Sequence, residues 1–140
     1  MASKNLKPNR NIQEMSLGAF ENKYCFNFER QTLFKGLTKM IKNLKSAGVT
    51  EIYITGSFVG DKESPNDIDG CWQYTTSVDW QKIDPVLVDM GRRRQKMKDK
   101  YGVDFFPDFV TEGASGKPIL KFFETDRDGN NKKIIKIKLK

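Results

Sequence analysis

The chain has 140 residues, of which 37% are hydrophobic and 31% are charged, with a formal net charge of +7 and no histidine. This length suits one domain, and no apolar run approaches the roughly 20 residues that a membrane helix requires. Without imidazole, Ser-His-Asp triads, Cys-His pairs and His-ligated zinc are excluded. Carboxylate oxygens remain, and they favour hard cations such as Mg²⁺ or Mn²⁺.

The compartment and the type of partner follow from the termini, the cysteines and the charge. The segment MASKNLKPNR contains lysines with no apolar run after them, so no secretory signal is expected and the predicted location is cytoplasmic. Cys25 and Cys71 are predicted to be buried small apolar groups rather than a disulfide. The positive charge favours an anionic partner, which includes nucleic acid, a nucleotide and an acidic protein surface.

The first half of the chain predicts a helix followed by two strands. Residues 1–16 show no periodicity and are expected to form an irregular arm over the domain or a partly ordered tail. From Glu29 to Ala47 the apolar residues recur every three or four positions, which predicts a helix with one apolar stripe. The segment VTEIYIT predicts a strand that leads into Gly56, and DIDGCWQYT carries the second strand.

The second half predicts a helix, a strand and a hairpin. Asp84 and Pro85 are a typical helix start, and the apolar spacing continues to Tyr101, with Gly102 closing the helix. VDFFPDF predicts a short third strand, and PILKFFET and KKIIKIKLK are the predicted arms of a hairpin around DRDGNN. The predicted fold class is α/β, of the α+β type: one domain over 1–140, with a small mixed or antiparallel sheet and helices mainly on one face.

Basic residues form two groups, one on the second predicted helix and one at the C-terminus. The groups are Arg92, Arg93, Arg94, Lys96, Lys98 and Lys100, and Lys132, Lys133, Lys136, Lys138 and Lys140. The first group is a candidate nucleic-acid surface or a solvated helix face. The second group alternates with apolar residues, which favours a half-buried edge strand whose lysines discourage pairing with other strands.

The run GSFVGDKESPNDIDGCW contains the residues that point to chemistry. Gly56 and Ser57 close a strand, as in a turn that holds phosphate, although a Gly-Ser pair is also an ordinary turn. Asp67 and Asp69 are two apart, so on a strand their carboxylates share a face and suit a metal ion, while the alternative for Asp67 is a turn cap. Asp104, in YGVDFFP, is the candidate third acid, or an acid at a strand edge.

These residues resemble the active-site pattern of the polymerase-β-type nucleotidyltransferase superfamily, in particular its minimal nucleotidyltransferases. The runs ERQTLFKGL, ITGSFVGDKESPNDIDGCW, DPVLVD, QKMKDKYGVDFFP and LKFFETDRDGNNK are together similar to an uncharacterised family of small nucleotidyltransferase-like proteins of bacteria and phages. The resemblance covers the chain from about Ile12 to its C-terminus.

The resemblance implies a nucleoside triphosphate and two Mg²⁺ or Mn²⁺ ions in one site. Gly56 and Ser57 would contact the β and γ phosphates, and Asp67 and Asp69 would ligate the metals. Asp104 would be a further ligand or the base for the attacking hydroxyl. Many minimal nucleotidyltransferases carry an arginine or small polar residues after the Gly-Ser pair, whereas Phe58 and Val59 follow here, so Lys62 is the candidate that compensates.

The sequence therefore leaves three alternative functions, of which the first is the leading one. The first is a metal-dependent nucleotidyltransferase that moves a nucleoside monophosphate from ATP or another triphosphate to a protein or nucleic-acid acceptor, in a toxin–antitoxin or phage-defence setting. The second is a catalytically degenerate protein of the same fold that senses nucleotides or binds a partner. The third is a basic nucleic-acid-binding module that uses residues 92–100.

Overall fold

The structure is a computed structural model, and it describes residues 12–111, 113, 116–124 and 132–139. Four α-helices and five strands lie in these residues, with short 3₁₀ segments between them. The strands are β1 (Ile12–Glu14), β2 (Glu51–Thr55), β3 (Ile68–Trp72), β4 (Val103–Pro107) and β5 (Ile134–Lys138). The helices are α1 (Leu17–Tyr24), α2 (Phe28–Ser46), α3 (Gln95–Tyr101) and α4 (Ile119–Phe122).

Helix α2 confirms the prediction made from its apolar stripe. It begins after Asn27, whose side chain accepts a hydrogen bond from the N–H of Arg30 at 2.9 Å, as a helix N-cap does. It ends at Ser46, and Gly48 beyond it has a φ of 98°, a left-handed conformation that suits glycine. The stripe is buried on the sheet, with Phe34, Leu37, Met40, Ile41 and Leu44 in the core.

The five strands form one mixed sheet in the order β1-β5-β2-β3-β4. Strand β2 is antiparallel to both β3 and β5, whereas β1 pairs parallel with β5 and β4 pairs parallel with β3. One face of the sheet packs on α1, α2 and α3 and forms the main core. The other face carries a smaller cluster with α4, made of Cys71, Ile119, Phe123 and Ile134. The predicted α+β class with a small mixed sheet is confirmed.

The predicted final hairpin is wrong in its first arm. Residues Ile119–Phe122 form helix α4 rather than a strand, because Ile119 and Phe123 are four residues apart and lie together on the second face of the sheet. The second arm is strand β5, as predicted, but it lies between β1 and β2 and is not an edge strand. The turn predicted at DRDGNN lies outside the described residues.

The predicted helix from Asp84 to Tyr101 is interrupted. Two 3₁₀ segments, Pro85–Val88 and Gly91–Arg94, precede the α-helical part, α3. The carboxylate of Asp89 accepts a hydrogen bond from the N–H of Gly91 at 3.0 Å, and such a local bond competes with helix formation. Arg92, Arg93 and Arg94 then have left-handed φ values of 50°, 56° and 62°. The closing position at Gly102 is confirmed, with a φ of 68°.

Part of the predicted N-terminal arm has regular structure. Ile12–Glu14 form β1 on the edge of the sheet, and the N–H of Met15 donates to the carbonyl of Lys136 at 3.1 Å. Ser16 then caps α1, a helix that the sequence pattern did not predict because it is short and carries few apolar residues. Residues 1–11 lie outside the described part of the chain.

Candidate active site

Strands β3 and β4 bring the three predicted acids together. Asp69 on β3 is the direct parallel partner of Asp104 on β4, and Asp67 immediately precedes β3. Ile68 between the two acids is buried in the main core, so Asp69 points to the opposite face of the sheet. Carboxylate oxygens of Asp67, Asp69 and Asp104 lie within 4.8 Å of one another. This convergence is the arrangement that the sequence predicted.

The three acids repel one another when ionised, and this repulsion contributes to a raised pKa of Asp69. Burial raises the pKa of Asp69 from its ordinary value to about 8, and the charges of Asp67 and Asp104 together with hydrogen bonding to Asp67 add to the rise. The hydrogen bond favours protonated Asp69, which donates its proton to the carboxylate of Asp67. A divalent ion would stabilise the ionised form instead.

Asp104 differs from the other two acids because cations already hold it. Arg94 donates to both of its carboxylate oxygens, from Nε and from Nη2, and the Nη2 bond is 3.2 Å long. Lys98 lies 3.8 Å away as a second ion-pair partner. The Arg94 guanidinium also lies over the ring of Phe106, 4.8 Å from its centroid. Within the described residues, Asp67 and Asp69 form no ion pair.

Gly56 positions the turn directly against the acids. Thr55 at the end of β2 pairs with Asp69, and the chain then enters a 3₁₀ turn, Gly56–Val59, with a φ of 80° at Gly56. A Cβ atom at Gly56 would lie 2.6 Å from Oδ2 of Asp69, so only glycine permits this approach. Ser57 is exposed at the first turn of the segment. The predicted phosphate turn and the predicted metal ligands are therefore in contact.

Arg30 is a residue of the site that the sequence analysis missed. It is fully buried beneath the turn and donates to five main-chain carbonyls, one at the end of α1 and four in the turn and the loop after it. The guanidinium also stacks on Phe26 and Phe58, at 4.3 and 4.8 Å from the ring centroids. One signal was available: Arg30 lies four residues before Phe34, on the apolar stripe of α2.

A cavity of about 420 Å³ opens beside the acids. Its lining includes the charged side chains of Asp69, Asp104, Arg94 and Lys132 and the apolar side chains of Phe106, Ile119 and Phe123. Lys132 is close enough to Asp69 for its charge to lower the pKa of that carboxyl, against the larger opposing effects. A cavity of this volume, with a few convergent polar groups, is typical of small-molecule sites.

The structure does not bring the predicted residue Lys62 to this cavity. Lys62 is exposed in the loop after the turn, where its carbonyl accepts hydrogen bonds from Nε and Nη2 of Arg30 at 3.0 and 2.7 Å. Lys132 is the lysine that lines the cavity. Sequence spacing did not indicate Lys132, because it is far from the Gly-Ser run in the chain and reaches the site through the pairing of β5 with β2.

The basic group at residues 92–100 is largely neutralised within the protein. Arg94 and Lys98 pair with Asp104, Lys96 pairs with Asp89 at 3.2 Å, and Lys100 pairs with Asp84 at 2.5 Å. Arg92 and Arg93 are exposed and have no ion pair among the described residues. The group therefore offers fewer free charges to a polyanion than its sequence indicated.

The fold and the site define a small α+β protein with three carboxylates on a mixed sheet, next to a glycine turn and a cavity. The chain belongs to the family of unknown function DUF6932, whose profile matches residues 2–138. No curated protein and no solved structure matches it. Within the described residues, the helices are too short or too polar to cross a membrane.

Proposed function

We propose that this protein is a metal-dependent nucleotidyltransferase, which transfers a nucleoside monophosphate from ATP or another nucleoside triphosphate to a hydroxyl group of a protein or nucleic-acid acceptor. The observation that supports it most is the contact between Gly56 and Asp69, where a glycine turn meets a cluster of three carboxylates beside a cavity. The resemblance to polymerase-β-type nucleotidyltransferases rests on the same residues.

The acids fit a divalent cation such as Mg²⁺ or Mn²⁺. Two oxygens on opposite sides of Mg²⁺ are about 4.2 Å apart, because each metal–oxygen distance is about 2.1 Å. The carboxylate oxygens of Asp67, Asp69 and Asp104 lie within 4.8 Å of one another, so the side chains would have to close further around a shared cation. The raised pKa of Asp69 beside two other carboxyl groups supports a place where a positive charge would be stabilising.

Each residue has a role in this proposal. Asp67 and Asp69 would hold the cations, and Asp104 would be a third ligand or accept the proton of the attacking hydroxyl. Ser57 and the first N–H groups of the turn would contact the terminal phosphates, and Lys132, which lines the cavity with Gly56, would add a positive charge. Divalent ions held by the acids would supply positive charge to the attacking and leaving oxygens. The acceptor oxygen bonds to the α-phosphorus as the bond to pyrophosphate breaks.

The apolar part of the cavity lining suits the base of the nucleotide. It includes Ile119, Phe123 and Phe106, on the face of the sheet that also carries the acids, and the Phe106 ring also contacts the Arg94 guanidinium. An aromatic ring with aliphatic neighbours packs against any base, so this lining supports nucleotide binding without determining which base is bound.

The proposed setting is the cytoplasm, next to a protein partner of the toxin–antitoxin or phage-defence type. Cys25 and Cys71 are free and buried, which is consistent with a reducing compartment.

The test is transfer of an α-phosphate label. The protein is incubated with each α-labelled nucleoside triphosphate, Mg²⁺ or Mn²⁺, and pools of protein and RNA acceptors. Asp69→Asn should lower transfer by about 100-fold or more, a loss of about 3 kcal/mol of transition-state stabilisation. The matched control is Asp99→Asn, which removes an exposed acid on α3 whose only close partner among the described residues is Gln95. Equal labelling by both variants would refute the proposal.

The second candidate function is a nucleotide-sensing or partner-binding protein with the same site. The contact that favours it is the double hydrogen bond of Arg94 to Asp104, which occupies the acid required for turnover. Such a protein would bind a metal–triphosphate complex and gain stability from it, yet release no pyrophosphate. Measuring pyrophosphate release alongside binding of ATP and Mn²⁺ separates the two functions.

A further inference from the structure

We propose that Arg94 is a positioning residue that holds Asp104 while the site is free of metal and moves to the triphosphate when cations occupy the acids. The inference rests on the proposed function and adds a residue that the resemblance did not supply. It assigns to one side chain both competition with a cation at Asp104 and recognition of the anionic substrate.

The first step is that Arg94 and a cation compete for the same carboxylate. Arg94 donates from Nε and from Nη2, so both oxygens of Asp104 are engaged. Asp104 is also one of the three acids whose oxygens converge within 4.8 Å. A divalent ion bound there would face a guanidinium on the same carboxylate, and like charges at such a distance repel. Metal binding through Asp104 therefore requires Arg94 to leave.

The second step is that Asp104 does not lose all compensation when Arg94 leaves. Lys98, on helix α3, places its Nζ 3.8 Å from Oδ2 of Asp104. The Lys98 side chain is itself 26% exposed, so its ammonium remains partly hydrated. The exchange of Arg94 for a cation thus leaves no buried charge without a partner.

The third step is that the Arg94 side chain has room to move within the cavity. Its side chain lines the cavity and is 27% exposed, and within the described residues its guanidinium is held by the pairing with Asp104 and the stacking on Phe106. Arg92 and Arg93 before it are exposed, and all three residues have left-handed φ values that side chains with a Cβ adopt at a cost. A segment in such a conformation is held by its contacts and relaxes when they are exchanged.

The fourth step identifies the new partner. A guanidinium presents planar, paired donors that match a phosphate as well as a carboxylate. Arg94 and Lys132 line the same cavity as Gly56 and the acids, so a triphosphate bound there would lie within the reach of both cations. The same side chain would therefore oppose the metal alone and favour the metal together with a triphosphate.

The experiment measures two affinities by isothermal titration calorimetry: Mn²⁺ alone, and the non-hydrolysable analogue α,β-methylene ATP in saturating Mn²⁺. Arg94→Gln should bind Mn²⁺ alone about tenfold more tightly and the analogue about tenfold more weakly, a range typical of coupled sites. Arg93→Gln is the matched control, because it removes an adjacent arginine of the same left-handed segment that contacts no acid within the described residues. It should leave both affinities unchanged.

The two changes of opposite sign distinguish positioning from a structural role. If Arg94 only maintained the fold, Arg94→Gln would weaken both ligands and lower the unfolding midpoint, and this result would overturn the inference. Arg94→Lys keeps the charge but not the planar, paired donors of the guanidinium, so its affinity for the analogue should lie between those of wild type and Arg94→Gln. Unchanged affinities in Arg94→Gln would overturn the inference and leave the proposed function standing. Failure of the wild-type protein to bind either ligand would overturn both.

Discussion

The protonation of Asp69 gives the protein an unusual dependence of stability on pH. The pKa of Asp69 is raised to about 8 in the folded protein, first by burial and then by Asp67 and Asp104. The chain has no histidine, but the two thiols also contribute above about pH 8, because burial raises the pKa of Cys25 to about 11 and of Cys71 to about 12 from an ordinary value of 9.0. This contribution is the same in wild type and in a variant at Asp69. The α-amino group titrates near this pH as well, and equally in any variant of the site.

The direction of the effect follows from proton binding. Between its ordinary pKa of 3.8 and the folded pKa of about 8, Asp69 binds a proton in the folded chain and none in the unfolded chain. Stability is therefore fully present below the ordinary pKa and is lost as the pH rises through about 8. From pH 6 to pH 9 the loss has an upper bound of about 2.7 kcal/mol, and partial access of water reduces it to about 1–2 kcal/mol.

The assay is urea unfolding at pH 6, 7, 8 and 9 in the presence of a chelator. Across this range wild type should lose about 1–2 kcal/mol more than Asp69→Asn, whose amide does not titrate, because the thiols contribute equally to both proteins. With excess Mn²⁺ this difference should disappear, because the cation binds the ionised carboxylates and is favoured at higher pH. The control Asp99→Asn should behave as wild type. Equal slopes for wild type and Asp69→Asn in the chelator would refute the reasoning.

Three further outcomes are expected. Arg30→Met should lower the free energy of unfolding in urea by about 3–5 kcal/mol, since five carbonyls lose their donor, two of them in buried hydrogen bonds and three in partly buried ones; a loss below 1 kcal/mol would contradict this. Gly56→Ala should cost about 1–2 kcal/mol and weaken Mn²⁺ binding in calorimetry, because its Cβ would meet Asp69, whereas Gly60→Ala in the same turn meets only an ordinary contact. Equal effects of these two substitutions would count against the close approach. Both cysteines should react with a thiol reagent much more slowly in the native protein than in urea, and rapid native labelling would show that they are accessible.

Local patterns in the sequence predicted the elements that carry the acids. The alternation around Ile68 placed Asp67 and Asp69 off the core, and the β-branched run before Gly56 predicted the strand and its turn. The register that pairs Asp69 with Asp104 follows from parallel pairing of two strands that are far apart in the chain. The sequence indicated the convergence only because the combination of residues was specific, since no local pattern encodes a long-range register.

The residues that sequence reasoning missed act over long distances. Arg30 comes from a helix and serves a turn about 30 residues later, and Lys132 reaches the cavity through the placement of β5 inside the sheet. The sequence predicts helix at Arg92–Arg94, because its composition favours helix. The structure has left-handed backbone there, where Arg94 pairs with Asp104 over a distance in the chain that a local pattern does not encode. Tertiary contacts override local propensity at these positions.

The buried Arg30 has a consequence for how the site fluctuates. Among the described residues its hydrogen bonds go to main-chain oxygens, and the charge of Asp61 also favours its charged form. Four of those oxygens are in place only while the glycine turn is closed. Opening of that turn would strand a cation in an apolar interior, so its amide hydrogens should exchange with deuterium only through global unfolding. Residues 91–94 lack a buried anchor of this kind among the described residues and should exchange through local opening. The part of the cavity lining at Gly56 should therefore stay rigid for as long as the protein is folded, whereas the part at Arg94 should adapt to what is bound.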